Sequence, residues 1–339
     1  MKHRSASRVL LAPFIRDFLE DRVEREQALS VHTRASYADT LRLLLVFASD
    51  LAGRSPSELL LEDVNAERVL KFLEHLEGKR KNGSLTRNAR LSGIRAFMRF
   101  IEFRVPAAVE LVRRVRAIPF KTARSRLVCF LTSTEWQAMV NAAVPTTTIG
   151  TRNRALLLLA ITSGLRASEL VRLTIDDISL PAPPTVHVIG KGRRERVLPL
   201  WSAATKALVA WLRVRPATAA RELFVSTKGR PISRAALAAV VHEHARRATG
   251  ACPSIGAKRI SPHVLRHTCA MIVLQATGDI RKVALWLGHA VLKSTDPYVR
   301  ADPTEKLEML AHAMPLSLRR GRFRVPDDVL SFLKTKAIC

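Results

Sequence analysis

The chain has 339 residues, more than one compact core accommodates, and 47% of them are hydrophobic, enough for two packed interiors. Aromatics make up only 5%, so those interiors are expected to consist mostly of Leu, Ala, Val and Ile. Lys and Arg number 56 against 29 Asp and Glu, a formal net charge of +27; such an excess points to a polyanionic partner, with nucleic acid ahead of an anionic membrane surface.

Residues 12–104 read as one helix after another. In PFIRDFLEDRVERE, Phe14, Phe18 and Val23 recur at roughly helical spacing. SVHTRASYADTLRLLLVFASDLAG follows, with Gly53 as its C-terminal stop, and then NAERVLKFLEHLEG, ended by Gly78. The fourth segment, SLTRNARLSGIRAFMRFIEFR, is bounded by Pro106. Four helices with short links make a small all-α domain. On the fourth, Leu91, Ile94, Met98 and Ile101 form an apolar stripe, and Asn88, Ser92, Arg95 and Arg99 a neighbouring polar face. Between Gly78 and Arg126 there are fourteen Lys or Arg and two acids, Glu102 and Glu110. A solvated face usually mixes the two signs, so this imbalance favours a surface for phosphates, with Lys79, Arg80, Lys81, Arg87, Arg95 and Arg99 as candidate DNA contacts.

Residues 105–130, with two prolines and scattered Arg, read as a linker. The second domain, residues 131–312, opens with LTSTEW, where Thr132 and Glu135 fit a capping box. Helical patterns cover 133–143 and 151–162. TVHVIG and RVLPL are short β-branched runs around the turn GKGRRE and read as a hairpin, to which LTIDDISL adds a third strand. Helices resume at 201–214, 233–248, 262–276, 279–287 and 302–312. A tail, residues 313–339, holds a last helix over 326–336. The expected fold is therefore mainly α, a four-helix domain followed by an α-rich domain with a small antiparallel sheet.

The four cysteines, Cys129, Cys252, Cys269 and Cys339, are far apart, and no C-x-x-C occurs. That argues against a zinc ribbon and suits free thiols in a reducing compartment. No apolar run approaches the ~18 residues needed to span a bilayer. The basic, briefly apolar start runs into RDFLEDRVERE and is not expected to be a signal peptide.

Several stretches carry candidate chemistry. In TSGLRASELVRL, Arg166 follows a Gly-Leu pair and Glu169 lies three residues on; the bland reading is a surface ion pair worth only ~0.3–0.5 kcal/mol, which would not need the glycine. In KRISPHVLRHTCAMIVL, Ser261 and Pro262 start a helix whose first turns carry His263 and Arg266, where unpaired N–H groups and the helix dipole favour an anion. His263 and His267 are four apart, but VLR between them and the adjacent cation argue against a metal site. In GDIRKVALWLGHAVLKSTDPYVRAD, Asp279 caps a helix that Gly288 stops, His289 falls on a turn, and Ser294 opens a segment carrying Tyr298. Of the two tyrosines, Tyr37 reads as a core residue, whereas Tyr298, among charged neighbours, is the poorer candidate for burial. Lys191, flanked by glycines in the hairpin turn, reads as an ammonium presented to a DNA groove or as an ordinary polar turn.

Taken together, these pieces resemble the tyrosine recombinase (phage integrase) family. SGLRASEL is similar to its first arginine box, GKGRRERVLPL to its lysine hairpin and HVLRHTCA to its H-x-x-R-H box. LGHAVLKSTDPY resembles its L-G-H followed nine residues later by tyrosine. Residues 12–104 resemble its helical core-binding domain, and the likeness covers about residues 12–312. The resemblance implies Tyr298 as nucleophile, Arg166 and Arg266 as the clamp on the scissile phosphate, His263 and His289 completing the site, Lys191 as general acid and Glu169 as support. It implies a recombinase that uses no cofactor, metal or ATP and joins DNA through a 3′-phosphotyrosyl link; the thiols and the start of the chain already make a cytoplasmic or nucleoid-associated protein the expectation. It also implies double-stranded DNA with specific sites as partner, a homo-tetramer on two sites, room for accessory DNA-bending proteins, and a tail helix, with Val325, Val329, Phe332 and Leu333 on one face, that either docks on a neighbour or packs on its own domain. Integration or excision of a mobile element is the expected role. Xer-like dimer resolution, type IB topoisomerase activity and a non-catalytic DNA-binding regulator are the alternatives.

Overall fold

The computed structural model describes residues 9–20, 31–122, 127–190, 194–288, 295 and 297–298, with backbone alone at 31 and 32. The chain forms two compact units, Met1–Ser125 and Arg126–Cys339. Lys191, His289, the helices expected at 302–312 and 326–336 and the whole 313–339 tail lie outside the described residues.

The first unit holds helices α1 (Ala12–Asp17), α2 (Val31–Ala52), α3 (Ala66–Gly78) and α4 (Ser84–Arg104), as the periodicity predicts. Asn65 caps α3 by accepting from the Arg68 N–H, and Gly53, at φ +61°, follows the end of α2. The apolar stripe of α4 is buried throughout and packs with Leu41 and Leu44 of α2 and Phe72, Leu73 and Leu76 of α3.

Two expectations are corrected here. The stretch 105–130 is not simply a linker, because Val109–Ala117 forms helix α5, burying Val112 and Val115 in the same core. Val109, Val112, Val115 and Ile118 recur every third residue, a short apolar repeat obscured by the arginines between them. Arg87 does not lie on an exposed DNA-facing surface. It is 4% exposed, and its Nη1 donates to the Pro119 carbonyl at 2.8 Å. The reason is its position four residues before Leu91 and seven before Ile94, on the apolar side of α4.

The second unit begins with α6 (Ser133–Asn141), whose start is the expected capping box between Thr132 and Glu135. Helix α7 (Thr148–Ser163) follows, with every residue from Ala155 to Ile161 buried. A helix that is apolar all round must be enclosed by other elements. After α8 (Ala167–Arg172) come β1 (Ile178–Ser179), β2 (Thr185–Ile189) and β3 (Glu195–Pro199), an antiparallel sheet in the order β1-β2-β3. The chain then forms α9 (Ser202–Val214), α10 (Arg234–Ala248), α11 (Pro262–Thr277) and α12 (Ile280–Leu287). α9 and α11 pack against α7. Among the described residues no helix is long and apolar enough to cross a membrane.

Candidate active site

The site starts from a backbone constraint. Gly164 ends α7 at φ +62°, and a Cβ there would meet Leu287 Cδ2 at 2.7 Å and Cys269 Sγ at 2.9 Å. Only glycine combines that left-handed turn with that close approach. The turn aims the Gly164 carbonyl at Arg266 of α11, whose Nη1 donates to it at 2.6 Å, while Nη2 donates to the Leu287 carbonyl at 2.8 Å. These carbonyls belong to the C-terminal ends of α7 and α12, where unpaired acceptors and the helix dipoles favour a cation. Arg266 is 2% exposed, and burial together with neighbouring Arg166 pulls its pKa down to about 10, so it stays charged near neutral pH.

Arg166 is the residue that precedes α8 as its N-cap. Its backbone N–H donates to Glu169 Oε2 at 3.0 Å, and its Nη1 donates to Oε1 at 2.8 Å. The Arg166 side chain stays 34% exposed while that of Glu169 is 5% exposed, so the carboxylate orients a guanidinium that still reaches solvent. Burial works to protonate Glu169, but hydrogen bonds from Arg196, the Arg166 backbone and the Arg166 side chain prevail and hold its carboxyl below the usual range.

On the first turns of α11, His263 has an exposed edge, and its ring lies 4.2 Å, centroid to centroid, from that of His267 in an edge-on contact. Partial desolvation in the site wall, then Arg266 and Arg166, lower the proton affinity of His263. His267 Nδ1 lies 3.0 Å from the Tyr298 hydroxyl. Tyr298 is 3% exposed, contrary to the expectation from its charged neighbours. Its ring packs edge-on to His267 and beside the apolar residues of α11 and α12, so sequence neighbours did not set its surroundings. Burial raises the phenol pKa, against the pull of the Arg266 and Arg166 charges. Beneath the arginine, Cys269 is buried with its thiol pushed up to about 12, which makes it an inert packing residue.

The fold thus brings Arg166, Glu169, His263, Arg266 and Tyr298 into one site of the second unit. Two residues of this site were not singled out from the sequence. His267 was weighed only as a metal ligand, although four residues from His263 it shares the same helix face. Arg196 of β3 donates to Glu169 Oε2 at 2.7 Å, and a Cβ at Gly288 would come within 3.1 Å of it. Its signal is strand alternation, which places a cation on the inward side shared with buried Leu198.

The model of the phage integrase family matches residues 129–305, and that of the phage integrase N-terminal SAM-like domain matches residues 15–104. The chain belongs to the phage integrase family. Its members are tyrosine recombinases, enzymes that cleave and rejoin DNA strands. A Sinorhizobium fredii protein that carries the name integrase/recombinase y4rC is 37% identical over 325 residues, spanning 96% of this chain and 98% of its own. The tyrosine recombinase XerC of Pelobacter propionicus is 33% identical over 294 residues, covering 86% of this chain and 92% of its own. Among solved structures, the XerH site-specific recombinase in a post-cleavage complex with a palindromic difH substrate aligns with a TM-score of 0.66 at 20% identity, over 91% of each chain. The mostly helical fold with a three-stranded antiparallel sheet is that of the tyrosine recombinases.

The described site residues of this phage integrase family member come from four separate segments: the turn after α7 with the start of α8, strand β3, the first turns of α11 and the residues beyond α12. The first unit adds a basic groove between α4 and α5, lined by Arg95, Arg99, Arg113 and Arg116. Arg95 is tied to the Ile118 carbonyl and stacks over Phe120 at 4.2 Å, Arg116 pairs with Glu102, and Arg99 is exposed. Lys79, Arg80 and Lys81 are exposed beyond α3.

Proposed function

We propose that this recombinase cuts DNA at specific sites by attack of the Tyr298 oxygen on a backbone phosphorus. The observation that carries the reading is the Tyr298 phenol on its own chain's His267 at 3.0 Å, within the electrostatic reach of both Arg266 and Arg166. A phosphodiester resists nucleophiles because its anionic oxygens repel them. Two guanidiniums cancel that charge and match the further charge of the transition state. The Tyr298 oxygen–phosphorus bond forms as the bond to the 5′ oxygen breaks, leaving a 3′-phosphotyrosyl link. Lys191 is assigned as the acid that protonates the departing 5′ oxygen, and His289 as a further donor to the phosphate. A 5′ hydroxyl of the partner strand then reverses the step. The ester conserves the bond energy, so the cycle requires no ATP.

Exchange of strands between two duplexes needs four cleavages, hence four protomers on two sites, with accessory DNA-bending proteins where the element's ends require them. The basic surface of the first unit, with Arg95, Arg99, Lys79, Arg80 and Lys81, is assigned to the DNA backbone. We assign the biological role to integration or excision of a mobile element, supported by likeness to an integrase/recombinase along nearly the whole chain. The XerC relative supports chromosome dimer resolution as the second reading. The test is covalent capture. Protein expressed in its host is crosslinked to nothing, denatured and isolated with any DNA still attached. Sequencing that DNA and mapping the nucleotide-bearing peptide should give discrete genomic junctions and Tyr298. Attachment at another residue, or none, would remove the assignment. Junctions at element ends would support the first role, and a single chromosomal locus the second.

A further inference from the structure

We propose that His267 is a further catalytic residue, whose Nδ1 takes the phenolic proton of Tyr298 as the oxygen attacks phosphorus. The inference rests on the reading of Tyr298 as nucleophile.

A phenol is almost wholly un-ionised near neutral pH, and the burial of Tyr298 disfavours the phenolate further. Attack therefore needs an acceptor for the proton. With Tyr298 3% exposed, bulk water is a poor one. Arg166 and Arg266 lie in range, but guanidiniums only donate. His267 has a ring nitrogen 3.0 Å from the hydroxyl, inside the reach that proton transfer requires. In the reactive tautomer the Tyr298 hydroxyl donates to Nδ1, and Nε2 carries the ring proton.

The placement of His267 is built into the fold. It follows Arg266 directly and sits four residues after His263, so base and phosphate clamp leave successive positions of one helix. That stretch of α11 is held by buried Val264, Leu265 and Thr268, and the Thr268 hydroxyl accepts the Leu131 backbone N–H at 3.0 Å. The His263 ring packs edge-on against His267 and limits its rotation.

The step balances. The Tyr298 O–H bond breaks and its proton passes to His267 Nδ1. The oxygen–phosphorus bond forms, the bond to the 5′ oxygen breaks, and that oxygen takes a proton from the acid. In the reverse direction the departing tyrosine oxygen recovers its proton from His267.

The test combines His267→Asn with a more acidic nucleophile. Asparagine keeps a hydrogen-bonding group near Nδ1 but has no useful basicity. The chain has two tyrosines, so in a Tyr37→Phe background 3,5-difluorotyrosine enters at Tyr298 alone. The probe is a nicked duplex built on a sequence that wild-type protein has captured covalently from its host genome. Adduct formation by His267→Asn with ordinary tyrosine should be slower by on the order of 10²–10⁴, the usual worth of a positioned base, while gel-shift affinity for the probe changes less than about threefold. Difluorotyrosine, whose phenol ionises without help, should narrow that gap at least about tenfold. The phenols are compared within each variant, so loss from misfolding cancels. A His267→Asn rate near wild type, or a gap unchanged by fluorination, overturns the role. Wild-type protein that forms no adduct at Tyr298 overturns the nucleophile assignment itself, and His267 with it.

Discussion

Arg196 donates to Glu169 across 2.7 Å, joining strand β3 to the first turn of α8, and the other carboxylate oxygen holds Arg166. One buried charge thus sets the position of a guanidinium in the site and of the hairpin that follows α8. Arg196→Met should leave Glu169 buried with half its compensation. The expected loss is about 3 kcal/mol, as when one member of a buried pair is removed, read as a lower urea midpoint at unchanged m-value. Adduct formation should slow as well, since Arg166 loses a rigid anchor. An unchanged midpoint would show that the pair carries no structural weight.

Tyr298→Phe should bind the captured DNA with wild-type affinity and give no covalent band on a denaturing gel with a nicked suicide duplex. Arg166→Ala should lose about 10²–10³ in adduct rate, by analogy with removal of an oxyanion donor. Its affinity for the same duplex should change far less. Equal losses of rate and affinity would reduce Arg166 to a backbone contact.

Gly164→Ala tests the turn after α7. A Cβ there meets Leu287 and Cys269 closer than real contacts allow, in a backbone conformation that disfavours alanine. The variant should lose more than about 1 kcal/mol of stability. Because the same carbonyl orients Arg266, adduct rate should fall beyond what the shifted melting temperature explains.

Glu135 predicts a pH effect. It is buried, accepts from the Thr132 N–H at 2.8 Å and the Ser254 hydroxyl at 2.6 Å, and pairs with Lys258. Burial opposes its ionisation, but these partners win and hold its carboxyl below the usual range. The unfolded chain then binds the proton more readily. Its stabilisation is complete above the unfolded value of about 4.3 and is lost as pH falls through the lower folded value. Glu135→Gln should flatten the acid limb of the stability curve below about pH 4.5, measured by urea midpoints at successive pH values. An acid limb as steep as that of wild type would refute the assignment.

The first unit offers a paired comparison. Arg99→Ala should lower the slope of log K against log salt by about 1, as for one lost phosphate contact, with stability unchanged. Arg87→Ala should do the opposite. It removes the buried guanidinium that donates to the Pro119 carbonyl, costing about 1–3 kcal/mol, and leaves the salt slope alone.

Much of this was legible in the linear chain. Thr132 with Glu135, Asp279, and the glycines at 53 and 288 marked helix ends because caps and left-handed turns depend on a few adjacent residues. The boxes around Arg166, His263 and Tyr298 could be recognised by residue type and spacing alone. Helix α5 escaped notice because its apolar repeat is short and crowded with arginines. Arg87 was assigned by its charge when its helical position already put it with Leu91 and Ile94.

By itself the sequence determined the helical order, the short sheet and the basic first unit, since each follows from short-range periodicity, turn chemistry and charge. Only the tertiary structure decided who touches whom. Arg266 finds the Gly164 carbonyl 102 residues away, Tyr298 finds His267 31 residues away, and Glu169 is shared by Arg196 27 residues downstream. No local rule carries such pairings, because they depend on how buried faces from distant segments fill one another's space and on which polar groups that packing leaves to be satisfied.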